Sequence, residues 1–292
     1  MEKAINYQSW KDKLKSYRAH PFSFLVMCLV MLAVLFTIGR LGYLIVYVII
    51  KGVPHLTPEL FAWEYTTDNV SMLPALINTV LMTALALLMA VPIGVFSAIY
   101  LVEYAKKGNK LVTIVRMTAE TLTGIPSIVY GLFGSLFFVN ALHWKLSLLS
   151  GSCTVAIMVL PVIMRTTEEA LLSVPQGYRS GSFGLGAGKL RTIFKIVLPS
   201  AVPGILSGVI LATGRIVGET AALIYTAGSI AQVPAGKDFL FDSVRTLSVH
   251  MYNLSKEGLH TDQAYATAVV LLVLVMLINF LSDFLASKIA KE

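Results

Sequence analysis

The chain has 292 residues, of which 56% are hydrophobic and 13% charged, with a formal net charge of +7 and a mean hydropathy of +0.76. A soluble domain carries about a quarter charged residues, so a water-solvated globule is excluded. A nucleic-acid surface is excluded as well, because the positive charge is spread between apolar runs and does not collect on one polar domain.

In chain order, residues 1–20 form a basic tail fit to lie on the inner leaflet. Six uncharged runs follow: Pro21–Gly39, Leu73–Val102, Thr121–Leu142, Leu146–Met164, Ile196–Gly214 and Gln263–Ser282. A bilayer core of about 30 Å takes roughly 20 helical residues. These runs are continuous and do not alternate, so helices are expected and a barrel is not. The spacing predicts helices near 22–50, 73–102, 117–141, 146–164, 200–225 and 263–286. With the N-terminus inside, Lys and Arg divide 15 to 5 between inner and outer segments, which predicts six spans with both termini cytoplasmic. The first run is too long for the core of a cleaved signal peptide.

Pro92-Ile93-Gly94 predicts a kink in the second helix. Between the first two helices, Trp63 and Tyr65 suit an aqueous interface. Cys28 and Cys153 both fall in apolar runs and read as small apolar residues. His20, His55, His143, His250 and His260 are scattered through tails and loops, without metal-ligand spacing on one helix. No metal site is expected.

Arg165–Pro199 is too polar to span. Glu168–Ser173 extends the fourth helix past the bilayer, and Pro175 and Gly177 break it. Tyr178–Leu185 and Lys189–Val197 then read as two short helices meeting at Gly186–Gly188, where glycine tolerates a positive φ. A basic, glycine-bent loop of this kind suits docking by a soluble partner. Gly184, Gly186, Gly188 and Lys189 do not make a phosphate loop. Phe183 stands where the first glycine belongs, and Leu190 replaces Ser or Thr.

Charges within the apolar runs are candidate sites. Arg215 is expected near the middle of the fifth helix, with Glu219 four residues on and on the same face. A guanidinium fork suits phosphate recognition, so Arg215 attracts or passes an anion while Glu219 holds it. The alternative is an ion pair that fixes helix register. Arg165, at the inner end of the fourth helix, either draws an anion toward the exit or anchors the positive inner side. Arg116 and Glu120, also four apart, read as an interfacial salt bridge. Arg40 is expected to snorkel outward, and Asp283 to supply helix-end polarity.

The spacing Ser180-Gly181-Ser182, Gly186, Ile196, Leu198, Pro199 resembles the cytoplasmic E-A-A-x3-G-x9-I-x-L-P motif of ABC-importer permeases, with Ser-Gly-Ser in place of the E-A-A triplet. Gly124-Ile125-Pro126-Ser127-Ile128-Val129-Tyr130-Gly131-Leu132-Phe133-Gly134, Arg165-Thr166-Thr167-Glu168 and Arg215-Ile216-Val217-Gly218-Glu219-Thr220-Ala221 are similar to phosphate-specific permeases of PstA type. This resemblance covers residue 70 to the C-terminus.

It implies an all-α, polytopic protein of the type I ABC importer permease fold in a bacterial or archaeal cytoplasmic membrane. Residues 21–292 would form one permease domain, and the loop 165–199 would couple to an ATPase. The chain would be no enzyme and carry no cofactor, ATP and Mg being held by the partner ATPase. The implied partners are a PstC-type second permease, a PstB-type ATPase dimer, a PstS-type extracytoplasmic phosphate-binding protein and membrane lipids, with no nucleic acid. Alternative cargoes within the same family are sulfate, molybdate or phosphonate. A transporter or channel working without an ATPase is the alternative outside it.

Overall fold

The computed structural model describes residues 21–106 and 108–289. The basic tail at 1–20 lies outside the described residues, as does the side chain of Asp283. The chain divides into two compact units, the first ending at Lys51 and the second beginning at Gly52. Helix α1 (Pro21–Gly52), up to Lys51, makes up the described part of the first unit.

The second unit opens with two short 3-10 turns, Val53–His55 and Pro58–Phe61. Helix α2 (Leu73–Ile99) continues as a π-helical turn, Tyr100–Tyr104. Next come α3 (Lys110–Thr123), α4 (Ser127–Gly134) with a π extension Ser135–Ala141, and α5 (Leu148–Ser173). Helix α6 (Gln176–Gly184) and α7 (Lys189–Thr192) form a hairpin. Through a third π segment, Ile193–Val197, α7 runs into α8 (Leu198–Gly218). Helices α9 (Ala221–Thr226), α10 (Leu247–Glu257) and α11 (Thr261–Ile289) complete the unit.

Five helices are long and apolar enough to cross a membrane, and the pair α3–α4 makes a sixth span if counted as one. The six expected spans are therefore present, but the third is not a single rod. It is bent by 105° between Thr123 and Ser127. The residue before a proline is pushed out of the helical region, so Gly124-Ile125-Pro126 ends one helix and Pro126 opens the next. The Tyr130 hydroxyl donates to the Leu122 carbonyl at 2.8 Å, bridging the bend. Pro92, Pro161 and Pro203, by contrast, all lie inside their helices.

Helix α5 is the axis of the unit, with 67% of its apolar window buried against 33% for α2 and 33% for the α7–α8 span. Without a hydrophobic force between helices in lipid, close approach relies on small residues. Gly94 of α2 faces Ile163, and Gly204 and Gly208 of α8 face Ala170 and Thr166 of α5. Three hydroxyls in this core are satisfied on their own helices: Thr79 donates to Ala75, Thr83 to Thr79 and Thr154 to Ser150, each at 2.7 Å.

Three apolar layers follow one another along α2. One gathers Ala75 with Leu60, Leu247 and Leu254. The middle layer holds Met82, Ala86, Val159, Ile216 and Leu223. The third holds Ala98, Leu101, Leu171, Ile193 and Val197, where the hairpin meets the bundle.

Candidate functional site

Two interrupted spans meet inside the bundle. The fifth span begins earlier than expected, at Lys189, and α8 ends at Gly218. Glu219 is extended (φ −71°, ψ 129°), and α9 starts afresh at Ala221. The expected helix through residue 225 is thus broken at Glu219–Thr220. Helix α9 packs against α4, the second half of the bent span, so closely that a Cβ on Gly131 would lie 2.7 Å from Ala222 Cα.

The break separates Arg215 from Glu219. Their expected stacking on one helical face is corrected by the structure, because the turn that would align them is not helical. Arg215 occupies the last turn of α8, where the partial negative end of the helix favours a cation. It is half-buried, and among the described residues no carboxylate lies within ion-pair distance of it. Its charge acts on the Tyr130 hydroxyl, which spans the other break.

Glu219 is buried and serves the backbone. Its Oε1 accepts from the Ala222 amide at 3.1 Å, satisfying a free donor at the start of α9. Its carbonyl accepts from Ser248 Oγ at 2.5 Å, which ties α10 to the break. The result is an uncompensated guanidinium between two helix ends. Such discontinuous backbone is tolerated at membrane depth where it is buried in protein or lines a cavity.

A second charged group lies between α3 and α5. Arg165 is exposed, and its Nε donates to Glu169 Oε1 at 3.2 Å while Nη1 lies 3.6 Å from Glu120. Arg116 pairs with Glu168. The expected Arg116–Glu120 pair on one helix is therefore replaced by two bridges running between helices. Local spacing favours the i, i+4 pair, but α5 brings Glu168 and Arg165 opposite α3. These side chains line a cavity of about 250 Å³ with Ala119, Thr123, Pro161 and Met164.

The third group is the hairpin. Its two arms meet where expected, and Gly186 takes φ +79°, which a side chain rarely adopts. Ser180 and Gly181 are exposed on α6, with Ser180 Oγ donating back to the Gln176 carbonyl at 3.2 Å. Ser182 is buried and shares a 2.8 Å hydrogen bond with Thr192, joining the arms. Ile196 is half-buried in the π segment, and Leu198 and Pro199 open α8. Around this frame Tyr178, Phe183, Leu190 and Phe194 are exposed, and Leu185 at the tip is 91% exposed. Arg191 and Lys195 are exposed beside them.

Sequence spacing did not single out Glu103 or the partner of Arg179. The structure pairs the two, both almost buried, at the root of the hairpin. They are 76 positions apart, so no local rule finds them. The one available signal was an acid at the end of an apolar run facing a basic loop.

Residues 70–291 match the family described as binding-protein-dependent transport system inner membrane component. The probable ABC transporter permease protein YqgI of Bacillus subtilis (strain 168) is 32% identical over 266 residues, covering 84% of this chain and 88% of that protein. The phosphate transport system permease protein PstA of Pasteurella multocida (strain Pm70) is 32% identical over 270 residues, covering 87% of this chain and 91% of that protein.

Among solved structures, a bacterial alginate ABC transporter in complex with alginate pentasaccharide-bound periplasmic protein gives a TM-score of 0.68 at 15% identity, over 94% of this chain and 98% of that one. The MetNI methionine ABC transporter in an inward-facing conformation gives 0.57 at 21% identity, over 75% and 94%. At these identities the structural likeness speaks to the fold, which is that of a type I ABC importer permease.

Proposed function

This chain belongs to the family of binding-protein-dependent transport system inner membrane components, and from that premise we propose that its cargo is inorganic phosphate. It is a membrane-embedded permease subunit of an ABC importer, not an enzyme. It works with a separate ATPase and a substrate-binding protein. The proposal is that residues 21–292 act as one permease domain supplying half the phosphate path, the other half coming from a PstC-type permease. A PstB-type ATPase dimer, holding ATP and Mg, grips the hairpin within 165–199, and a PstS-type protein delivers the anion. Both termini then lie on the ATPase side.

The observation that carries this reading is Arg215. A half-buried guanidinium at a helix break, lacking an acidic partner among the described residues, is expensive at membrane depth unless an anion or water meets it. Phosphate meets it well, through two parallel charge-assisted hydrogen bonds. Arg165 is the second cation on the path. Its bridges to Glu120 and Glu169 moderate its pull, so that the anion is released and not trapped. Glu219 contributes by holding the break open, as the acceptor for α9 and α10. The likeness to PstA proteins over most of the chain supports phosphate over sulfate, molybdate or phosphonate.

The test is uptake of labelled phosphate by the assembled transporter in proteoliposomes, with competing oxyanions. Arg215→Ala is expected to abolish uptake while the subunits still co-purify. Normal uptake by that variant would remove Arg215 from the path. No uptake of labelled phosphate, with uptake of labelled sulfate or molybdate in its place, would reassign the cargo.

A further inference from the structure

The first arm of the hairpin is joined to the second and fourth spans through the side chain of Arg179. Arg179 lies on α6 and Glu103 in the π turn that ends the second span, with side chains 12% and 10% exposed. Arg179 Nε and Nη2 donate to Glu103 Oε1 at 3.1 and 2.8 Å. Nη1 donates to the Val174 carbonyl at 2.8 Å and to Gln176 Oε1 at 3.3 Å. Nη2 also donates to the Leu171 carbonyl at 2.8 Å. Leu171 and Val174 belong to the end of α5, where helix carbonyls lack intrahelical partners. One planar fork thus joins the end of the second span, the end of the fourth and the first arm of the hairpin. The other arm adds a nearby contact, Lys189 Nζ over the Tyr104 ring at 4.6 Å. A notch of about 670 Å³ runs beside this joint, lined by Glu103, Arg179, Phe183 and Lys189 among others.

From this geometry we infer that Arg179 is a positioning residue of the transport reaction. It makes the hairpin, the second span and the fourth span move as one body when the partner ATPase displaces the hairpin. The inference rests on the ATPase-coupled reading of the hairpin given above. A lysine cannot replace the fork, because its single ammonium has neither the reach nor the planar set of donors. Removing either charge strands the other in a nearly buried site, so the joint loosens and does not merely re-pair. Hairpin motion, still passed to the fifth span through α7, is then absorbed at the α5–α6 corner and does not reach the second and fourth spans.

The experiment uses the complete transporter in proteoliposomes. It measures ATP hydrolysis, its stimulation by the substrate-binding protein, and uptake of inorganic phosphate, all per assembled complex. Arg179→Gln and Glu103→Gln are each expected to keep basal hydrolysis within about 2-fold of the parent, because hydrolysis takes place on the partner ATPase and the joint only couples it to the spans. Uptake per ATP, and stimulation by the binding protein, are expected to fall about 10-fold or more. The double variant should be no worse than either single, because the two residues share one interaction. Should the glutamine variants fail to assemble, Arg179→Lys and Glu103→Asp keep the charges and decide the matter by the same ratio.

A purely structural role would lower hydrolysis and uptake together at a constant ratio, and that result overturns the inference. Single losses that multiply in the double variant also overturn it. A parent chain that purifies and transports without any ATPase sinks the coupled reading, and the joint with it. A parent that hydrolyses ATP but takes up no phosphate sinks only the choice of cargo, and stimulation by the binding protein then scores the joint.

Discussion

Truncating Arg116 and truncating Glu168 should have unequal costs, although the two form one ion pair. The Glu168 side chain is 12% exposed and that of Arg116 is 47% exposed. Removing the arginine leaves a mostly buried carboxylate without its cation, open only to the cavity it lines. Removing the acid leaves a guanidinium free to turn outward and to meet Glu120, one helical turn along α3. Breaking a buried pair costs about 3–5 kcal/mol, while an exposed pair is worth about 1 kcal/mol or less. With one partner buried and one half-exposed, Arg116→Ala is expected to cost about 2 kcal/mol and Glu168→Gln less than about 1 kcal/mol, by interpolation between those limits. Adding Glu168→Gln to Arg116→Ala should then restore at least half of the loss, since the stranded charge is gone. Thermal melting of the detergent-purified transporter reads this out. A loss of about 2 kcal/mol corresponds to a shift of about 3 °C in a chain of this size. Equal shifts for the two single variants, or a double variant equal to their sum, would refute the account of Glu168 as the dependent partner.

Gly131→Ala should destabilise the unit by about 1–3 kcal/mol, because the new Cβ meets Ala222 backbone and α4 must part from α9. Gly124→Ala, whose Cβ meets only the Thr121 carbonyl at 3.6 Å, is the tolerated control in the same melting series. Leu185→Asp should leave melting unchanged and reduce ATPase co-purification about 10-fold, as loss of a well-buried interface anchor does. Gly186→Trp should uncouple transport from hydrolysis, since φ +79° suits glycine alone. His250 is fully buried, and burial together with the nearby Arg245 charge lowers its pKa to about 4 from 6.5. The depressed value means that stability is complete above pH 6.5 and is lost as pH falls toward 4, by at most about 3 kcal/mol. A His250→Gln variant should flatten that part of the melting-versus-pH curve.

The spans and the hairpin were legible because both rest on strong local signals. Uncharged runs of membrane length fix where helices cross, and Gly186 with the Pro175 break marks the hairpin. The interruptions were not legible. Pro92, Pro161 and Pro203 all sit inside continuous helices, so a proline alone does not say that Pro126 ends one. What differs is its setting. The Gly124-Ile125-Pro126 break is held by the Tyr130–Leu122 hydrogen bond and by α4 packing on α9, which are tertiary facts. The charged pairs failed for a related reason. Spacing offers Arg116 with Glu120 and Arg215 with Glu219, each four apart. The fold instead gives Arg116 the acid on α5, gives Glu219 to the backbone of α9, and leaves Arg215 without a carboxylate partner among the described residues. Glu103 and Arg179 meet only because the second and fourth spans end side by side.

Three spans of the second unit contain π-helical turns, at Tyr100–Tyr104, Ser135–Ala141 and Ile193–Val197. A π turn stores one surplus residue relative to an α turn. Letting that residue slip through would spin the remainder of the rod by about 100° and advance it by about 1.5 Å. Two of these reservoirs flank the hairpin, one at Glu103 and one just before Pro199. A small push there can therefore be converted into a screw motion of entire rods, presenting a different strip of side chains to the passage without any helix melting.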